Sequence, residues 1–103
     1  MQTISLQPVK GQTLQVSLGG QRVTLRINQR STGMFIDVAL SGVWIAQGVL
    51  CLNCNKIIRY PYLKFKGELF FADTKGDLDP VYDELGSRFK LFYATEEEMS
   101  NVL

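Results

Sequence analysis

The stretch LQVSLGGQRVTLRIN, residues 14–28, decides the fold of this chain. On each side of its central Gly19-Gly20 pair, apolar side chains alternate with polar ones. A period of two is typical of a β-strand that buries one face. Two adjacent glycines tolerate the positive φ angles that a two-residue hairpin turn requires. The stretch therefore predicts an antiparallel β-hairpin with a tight turn at its two glycines.

The same alternation recurs along most of the chain. It predicts a short strand at residues 4–6, a second hairpin in residues 34–47, one or two strands in residues 49–58, and final strands at residues 67–73 and 87–94. Residues 60–67 form a predicted loop, since they contain a proline, which cannot donate a backbone hydrogen bond. About seven short strands with regularly spaced turns predict an all-β fold, either a compact antiparallel β-sandwich or a small β-barrel.

The length of 103 residues fits one domain with a single core. We assign residues 1–94 to this β-rich domain and residues 95–103 to a short C-terminal helical turn or tail, in which Thr95 and Glu98 have the spacing of a capping box. The first residues do not have the pattern of a signal peptide, and no apolar run is long enough to span a bilayer. We therefore expect synthesis in a cytoplasm and no membrane contact.

The chain contains no histidine. Histidine is the commonest general base and the commonest metal ligand in proteins, so its absence argues against catalysis and against a bound metal. The sequence therefore predicts a protein that is not an enzyme and that needs no cofactor.

The charges are divided unevenly along the chain. Residues 1–66 carry eight basic side chains and one acidic side chain, a formal charge of +7, whereas residues 67–103 carry three basic and nine acidic side chains, a formal charge of −6. Two interpretations remain open. Either the halves intermix in space and neutralise each other, or they form opposite patches that dock copies of the chain or its neighbours.

The stretch ADTKGDLDPVYDELGSRFKLFY, residues 72–93, holds five carboxylates within a dozen positions. A calcium loop of the EF-hand type needs oxygen ligands at its first, third and fifth positions and glycine at its sixth. A loop that starts at Asp73 has Lys75 at its third position, and one that starts at Asp77 has Val81 at its fifth. Neither register fits, so the sequence predicts no metal site here.

A strand, a turn, one helical turn and a second strand explain the same stretch. Asp79 suits the N-cap of a helical turn near residues 80–85, and Pro80 suits its first position. Leu85 is expected to enter the core, and Gly86 is expected to end the helical turn in a left-handed conformation. The acidic stretch is therefore predicted to be a structural connection.

The order of residues in this stretch resembles the phage baseplate plug family of contractile-tailed bacteriophages and prophages. The matching positions, which follow the strand GELFF, are Asp73, Gly76, Asp77, Pro80, Tyr82, Leu85, Gly86, Arg88, Leu91 and Tyr93. The opening ISLQPVKGQTLQVSLGGQRVTLRI resembles the first hairpin of the family, and MFIDVALSGVWIAQGVLCL resembles its middle strands. The segment CLNCNKII and the basic loop KIIRYPYLKFK depart from the family pattern.

The resemblance implies a structural virion protein without catalytic activity. It implies a baseplate plug subunit that closes or seals the hub region of a contractile tail through protein–protein contacts. The implied partners are other baseplate, hub and tail-tube proteins, with a homo-oligomer allowed, and the implied location is the virion tail baseplate after synthesis in the host cytoplasm. Under this interpretation the residues that hold the fold are Asp73, Gly76, Asp79, Pro80, Tyr82, Leu85, Gly86 and Arg88.

Basic residues, several of them beside aromatic ones, suggest where such a subunit contacts its neighbours. The residues selected for docking to acidic partners are Arg22, Arg26, Arg59, Tyr62, Lys64 and Lys66. Basic and aromatic side chains are also used to bind single-stranded nucleic acid. The alternative is therefore an oligonucleotide-binding β-barrel module that uses the basic residues of the N-terminal two-thirds. A net charge of only +1 argues against this alternative and against a nucleic-acid partner.

Cys51 and Cys54 form a CxxC motif. A structural zinc ion needs four ligands, and this chain offers two thiols and no imidazole. On a strand the two positions would point to opposite faces, so at least one of the cysteines is expected to be a small buried hydrophobic residue. A functional role remains open only for a site shared between subunits.

Overall fold

The structure, a computed structural model, describes residues 2–58 and 66–95. Within these residues there are seven β-strands: β1 (Gln2–Ile4), β2 (Gly11–Leu18), β3 (Gln21–Arg30), β4 (Gly33–Leu40), β5 (Val43–Leu50), β6 (Glu68–Asp73) and β7 (Phe89–Ala94). They form two antiparallel sheets, with the orders β1-β7-β6 and β2-β3-β4-β5. The all-β prediction is confirmed. The β-barrel form of it is wrong for the described residues, because their two sheets do not close on each other.

Two hairpins build the four-stranded sheet, as the sequence predicted. β2 and β3 pair without a register shift from Gly11 opposite Asn28 to Leu18 opposite Gln21. The glycine pair between them has φ angles of 57° and 78°, which are the positive values that a two-residue hairpin turn needs. β4 and β5 turn at residues 41–42, but their pairing contains two register shifts. The first hairpin is therefore regular, whereas the second one bulges.

One hydrophobic core draws on both sheets. Its side chains from the four-stranded sheet include Val23, Leu25, Ile27, Ile36 and Val38, and those from the three-stranded sheet include Ile4, Leu69, Phe71, Leu91 and Tyr93. Strand alternation explains this set, because each strand turns every second side chain toward the opposing sheet. Burying one large apolar side chain stabilises the fold by roughly 1.5–3 kcal/mol. The two sheets are therefore held together mainly by their facing apolar residues.

Residues 51–58 differ from the prediction of one or two strands. They contain an isolated β-bridge, between Asn53 and Phe71, and no strand. Cys54 has a φ angle of 60°, which takes the backbone out of the extended region. The apolar residues of this segment still enter the core, but they do so from a turn rather than from a strand.

The same segment covers the outer edge of β6. The Ile57 N–H donates to the carbonyl oxygen of Leu69 (2.9 Å). The carboxylate of Glu68, which is buried, accepts hydrogen bonds from the Ile58 N–H (2.6 Å) and from the Leu69 N–H (2.9 Å). A buried carboxylate needs such partners because losing its hydration is costly. Nothing in the sequence pattern indicated that Glu68 would cap a covered sheet edge.

The helical turn between β6 and β7 is shorter than predicted and begins later. It is a 3-10 turn at Tyr82–Glu84, preceded by the extended residue Val81, without a side-chain cap. The assignment of Asp79 as N-cap and Pro80 as first helical residue is therefore wrong. The Asp79 carboxylate instead accepts a hydrogen bond from the Asn53 N–H (2.9 Å), so a tertiary contact replaces the local cap.

The end of this connection follows the prediction. Leu85 is buried in the core, and Gly86 has a φ angle of 85°. A Cβ atom on Gly86 would lie 2.5 Å from the carbonyl oxygen of Leu6, so this position has neither the backbone angle nor the space for a side chain. The predicted capping box lies outside the described residues, because Glu98 is not among them.

Candidate docking surface

β3 places three arginines on the outer face of the four-stranded sheet. Arg22, Arg26 and Arg30 are four residues apart, and a period of two puts them all on the same side. The buried residues that alternate with them are Val23, Leu25 and Ile27. Successive arginines are therefore about 13 Å apart along the strand. The result is a line of guanidinium groups on one surface.

We call this surface the arginine face. It consists of Arg22, Arg26 and Arg30 of β3, Phe35 and Asp37 of β4, and Trp44 of β5.

A three-residue cluster lies at the centre of the arginine face. Arg26 stands opposite Asp37 in the pairing of β3 with β4, and its Nε donates to the Asp37 carboxylate (2.8 Å). Its guanidinium lies 4.5 Å from the centre of the Trp44 ring. The second oxygen of Asp37 accepts a hydrogen bond from the Gly48 N–H (2.6 Å). The arginine is thus held in one orientation by a carboxylate and by an aromatic ring.

The end of the arginine face near the β3–β4 turn contains a second arginine–aromatic pair. The Arg30 guanidinium lies 6.0 Å from the centre of the Phe35 ring. The pair borders a shallow depression of about 290 Å³. The other residues that line the depression are Asn28, Thr32, Asp37 and Gly48. This end therefore combines a cation with an accessible aromatic ring.

The opposite end of the face lies near the Gly19-Gly20 turn, where no aromatic ring from the described part of the chain lies over an arginine. Arg22 is exposed and borders an open depression of about 400 Å³. The remaining lining residues are Gln15, Val16, Ser17 and Gly20. Among the described residues, Arg22 makes no ion pair. Its charge is therefore available to a partner.

Apolar side chains on β5 extend the arginine face. Trp44 and Leu50 lie on this face and are exposed, with 40% and 38% of their surfaces accessible. Val43, which is also exposed, pairs with Leu40 and points to the other side of the sheet. Arginine and aromatic residues are enriched in protein–protein interfaces, and tryptophan and arginine are prominent among the residues that contribute most binding energy. The arginine face contains both of these residue types.

The structure describes three of the six residues predicted to dock. Arg22 and Arg26 lie together on the arginine face. Lys66 lies beside the start of β3, where the Gln21 side chain accepts a hydrogen bond from the Lys66 N–H (2.9 Å) and donates one to its carbonyl oxygen (3.1 Å). The other three, Arg59, Tyr62 and Lys64, are outside the described residues.

The prediction missed other residues of the surface. The spacing of four residues that joins Arg22 to Arg26 leads directly to Arg30, so the sequence contained the signal for it. Asp37 and Trp44 join the surface through the pairing of β4 with β3 and with β5, and the Gly48 N–H reaches Asp37 through a register shift of β5. A single sequence does not reveal such a shift.

The acidic stretch between β6 and β7 forms a structural junction. Asp73 makes two hydrogen bonds with Arg88, from Nε and from Nη2, each of 2.8 Å. Its carboxylate also accepts hydrogen bonds from the backbone N–H groups of Lys75 and Leu78 (both 2.9 Å). The hydrogen bond from Arg88, above all, holds the pKa of Asp73 well below its usual range. Within the described part of the chain, no group of three acidic or cysteine residues could hold a metal ion.

The two cysteines occupy different environments. Cys51 is buried, and burial raises the pKa of its thiol to about 12. Cys54 is exposed and follows the bridge residue Asn53. Both thiols are free. The expectation that at least one cysteine is a small buried residue is confirmed for Cys51.

Two antiparallel sheets that share one core, with arginine and tryptophan side chains on one outer face, place the chain in the class of small β-sandwich proteins. The family follows from comparison with known proteins, in which residues 1–97 match the family described as cyanophage baseplate Pam3 plug gp18. The chain belongs to this family of baseplate plugs. The comparison with curated proteins gives no match.

Family membership confirms the resemblance to baseplate plugs and gives the chain a structural role in the virion baseplate, in association with other baseplate proteins. The helical content of the described residues is a 3-10 turn of three residues, which is too short to cross a bilayer.

Proposed function

We propose that this chain closes or seals the hub region at the end of a contractile phage tail, and that it does so by protein–protein contacts through the arginine face. The observation that carries the proposal is the Arg26–Asp37–Trp44 cluster in a member of the baseplate plug family. Such a plug acts by filling a gap between neighbours that are arranged by rotational symmetry. Its partners would be hub and tail-tube proteins, with a homo-oligomer allowed.

The arrangement of Arg26 favours a protein partner. Its side chain is 43% exposed although it is paired with Asp37 and stacked near Trp44, so its remaining N–H groups can meet a partner without a large change in conformation. Holding a flexible side chain in place before binding reduces the entropy that is lost on binding. Arg22 and Arg30 extend the basic charge on both sides. A neighbouring surface that carries carboxylates would therefore be complementary to this face.

The same face is poorly suited to nucleic acid. Asp37 places a carboxylate at its centre, 2.8 Å from the Arg26 Nε, where a phosphate backbone would meet a like charge. Binding of nucleic acid through arginine side chains would weaken steeply as the salt concentration is raised. The oligonucleotide-binding module is the competing hypothesis in the experiment below.

The test is to tag the full chain, produce it in a host whose tail genes are induced, and identify the proteins that co-purify after nuclease treatment. Recovery of hub, spike or tail-tube proteins supports the proposal and names the neighbours. Loss of every partner after nuclease, with nucleic acid in the untreated sample, supports the competing hypothesis. Tails assembled without the chain should leak or remain incomplete, and complete, sealed tails would contradict a sealing role.

A further inference from the structure

The outer edge of β2 lacks the features that usually protect a strand edge. β2 hydrogen-bonds to β3 on one side, and no described strand pairs with its other side. Its eight residues, GQTLQVSL, include no charged residue and no proline. Its pairing with β3 contains no bulge. Lysine, proline and bulges are the usual means by which an exposed edge avoids pairing with another chain.

The other sheet edges in the described part of the chain are protected. β5 has two register shifts in its pairing with β4, one of them next to Gly48 with a φ angle of 65°. Residues 51–58 cover the edge of β6. β1 is only three residues long. A long, regular and open edge is therefore a feature of β2, and the contrast indicates a specific use for it.

The backbone of β2 is oriented for strand addition. The Gln29 N–H donates to the carbonyl oxygen of Lys10 (2.7 Å), the residue that precedes β2. Lys10 therefore belongs to a hydrogen-bonded pair with β3, and such pairs recur at every second residue of an antiparallel ladder. Thr13, Gln15 and Ser17 lie between these pairs, so their backbone groups point toward the open edge. Among residues 2–58 and 66–95, no backbone partner meets the donors and acceptors of these three residues on that side.

The two faces beside this edge indicate the chemistry of the added strand. On the inner face, Leu14 and Val16 pack against the core but remain only partly buried. On the outer face, Arg22 stands opposite Ser17, a small residue that leaves its guanidinium free to reach across β2. An added strand would lie about 10 Å from β3, within reach of an extended arginine and a facing glutamate. Apolar side chains would therefore fit one face and carboxylates the other.

We propose that β2 accepts an extended segment of a neighbouring baseplate protein as a fifth strand of the sheet, with apolar residues against Leu14 and Val16 and a carboxylate paired with Arg22. This inference rests on the proposed function, since it specifies how the chain holds one of its neighbours. Main-chain hydrogen bonds supply affinity in strand addition, and alternate side chains supply specificity.

A second copy of the chain is a poorer occupant than an acidic segment. β2 contains no carboxylate, so pairing of β2 with the β2 of another copy offers nothing to neutralise Arg22. Such a pairing would also place two exposed arginines on the same side of a continuous sheet. Charge complementarity therefore selects a different chain as the partner.

The experiment uses the full chain and two labelled peptides, one alternating valine with glutamate and the other alternating valine with lysine. Fluorescence anisotropy should show at least tenfold tighter binding of the glutamate peptide. At saturation, hydrogen exchange should slow at the amides of Thr13, Gln15 and Ser17. Equal affinity for both peptides, or protection of other amides, overturns the inference. Slow exchange of these amides in the free chain also overturns it, because a second copy or the chain itself would then cover the edge.

Two variants separate backbone pairing from charge pairing. Gln15→Pro removes an N–H that points to the open edge and leaves the β2–β3 ladder intact, so binding should be lost; the matched Gln15→Thr variant should bind as the wild type does. Arg22→Glu should reverse the preference in favour of the lysine peptide. If Gln15→Pro does not fold, a glutamate peptide with alternate N-methylated amides tests the same contact on the wild-type chain. Binding of that peptide at wild-type affinity contradicts strand addition.

The outcomes for the two proposals differ. If the chain is recovered with baseplate proteins but the glutamate peptide does not bind, strand addition at β2 is wrong and the plug function stands. If the chain is not recovered with baseplate proteins, the plug function fails regardless of the peptide result.

Discussion

Asp73, the last residue of β6, and Arg88, the residue before β7, form a two-point ion pair that closes the connection between these strands. The two bonds, from Nε to one carboxylate oxygen and from Nη2 to the other, are both 2.8 Å long. The Asp73 side chain is inaccessible to solvent, whereas that of Arg88 is 22% exposed. Arg88 also lies 3.5 Å from the Glu84 carboxylate, so the pair joins the 3-10 turn to both strands.

The first prediction concerns the loss of stability in acid. Arg88 holds the pKa of Asp73 below its usual value of about 3.9, so between these two pKa values the unfolded chain binds more protons than the folded chain does. The stabilisation from the pair should be complete above about pH 5 and should be lost as the pH falls through the folded-state pKa. Thermal unfolding from pH 7 to pH 2 should show the Asp73→Asn variant less stable than wild type at pH 7, with a gap that narrows steadily as the pH falls from about 5 to 2.

The control for this prediction is Asp77→Asn, in the same stretch. Asp77 is exposed and makes no ion pair among the described residues, so its variant should follow the wild-type pH profile. A gap between Asp73→Asn and wild type that stays constant down to pH 2 would contradict the role given to the ion pair.

The second prediction compares two glycines with similar backbone angles. Gly86 and Gly20 have φ angles of 85° and 78°, but a Cβ atom at Gly86 would lie 2.5 Å from the Leu6 carbonyl oxygen, whereas one at Gly20 would meet nothing within 4 Å. Gly20→Ala should therefore lower the free energy of unfolding by about 1–2 kcal/mol, the cost of a left-handed alanine. Gly86→Ala should cost clearly more, because the backbone must also move. Urea unfolding of both variants measures the difference, and equal losses would show that the contact with Leu6 is unimportant.

The third prediction concerns the reactivity of the cysteines. The thiolate is the reactive form, and burial both raises the pKa of Cys51 to about 12 and blocks access to it. A thiol reagent at pH 8 should therefore modify one cysteine per native chain, and two after unfolding in guanidinium. Cys54→Ser should abolish the fast reaction, and Cys51→Ser should preserve it. Rapid modification of two thiols in the native wild type would mean that the segment containing Cys51 opens readily.

The sequence predicted correctly those strands that bury one face, because burial of one face gives a strand its period of two. β2 alternates throughout, and β3 and β7 bury every second residue over residues 23–27 and 89–93. Prediction failed in residues 51–58 and at Asp79, for a common reason. In both places a tertiary partner decides the local structure. Phe71 forms a β-bridge with Asn53 in residues 51–58, and the Asn53 N–H donates a hydrogen bond to the Asp79 carboxylate.

The candidate surface was predictable to a similar degree. Strand periodicity alone puts Arg22 and Arg26 on one face, and the same rule adds Arg30. The two-residue turn at 41–42 also puts Trp44 opposite Ala39, so the sequence contained the signal that places this ring on the same face as Arg26. The Gly48 N–H beside Asp37 depends instead on the bulged pairing of β5, in which residues 47 and 48 fall between the paired residues Ala46 and Val49. A bulge shifts every later side chain relative to the neighbouring strand, and no composition signal locates it.

The last prediction tests the arginine face directly. Arg26→Ala and Trp44→Ala each remove one side of a partly exposed cation–π contact, which is worth about 0.5–1 kcal/mol at exposed sites. Arg26→Ala also removes the ion pair with Asp37, which is worth about 0–1 kcal/mol at an exposed site, and the Gly48 N–H still bonds Asp37, so both variants should remain folded. Binding to the baseplate should weaken far more, with at least a tenfold loss of affinity, because arginine and tryptophan are frequent hot-spot residues.

The matched control is Lys90→Ala on β7, whose half-buried side chain alternates with the core residues of the three-stranded sheet. Quantitative co-purification of each tagged variant with baseplate proteins, alongside its urea unfolding curve, separates the two effects. If Lys90→Ala abolishes co-purification while Arg26→Ala and Trp44→Ala leave it unchanged, the docking surface lies on the three-stranded sheet instead.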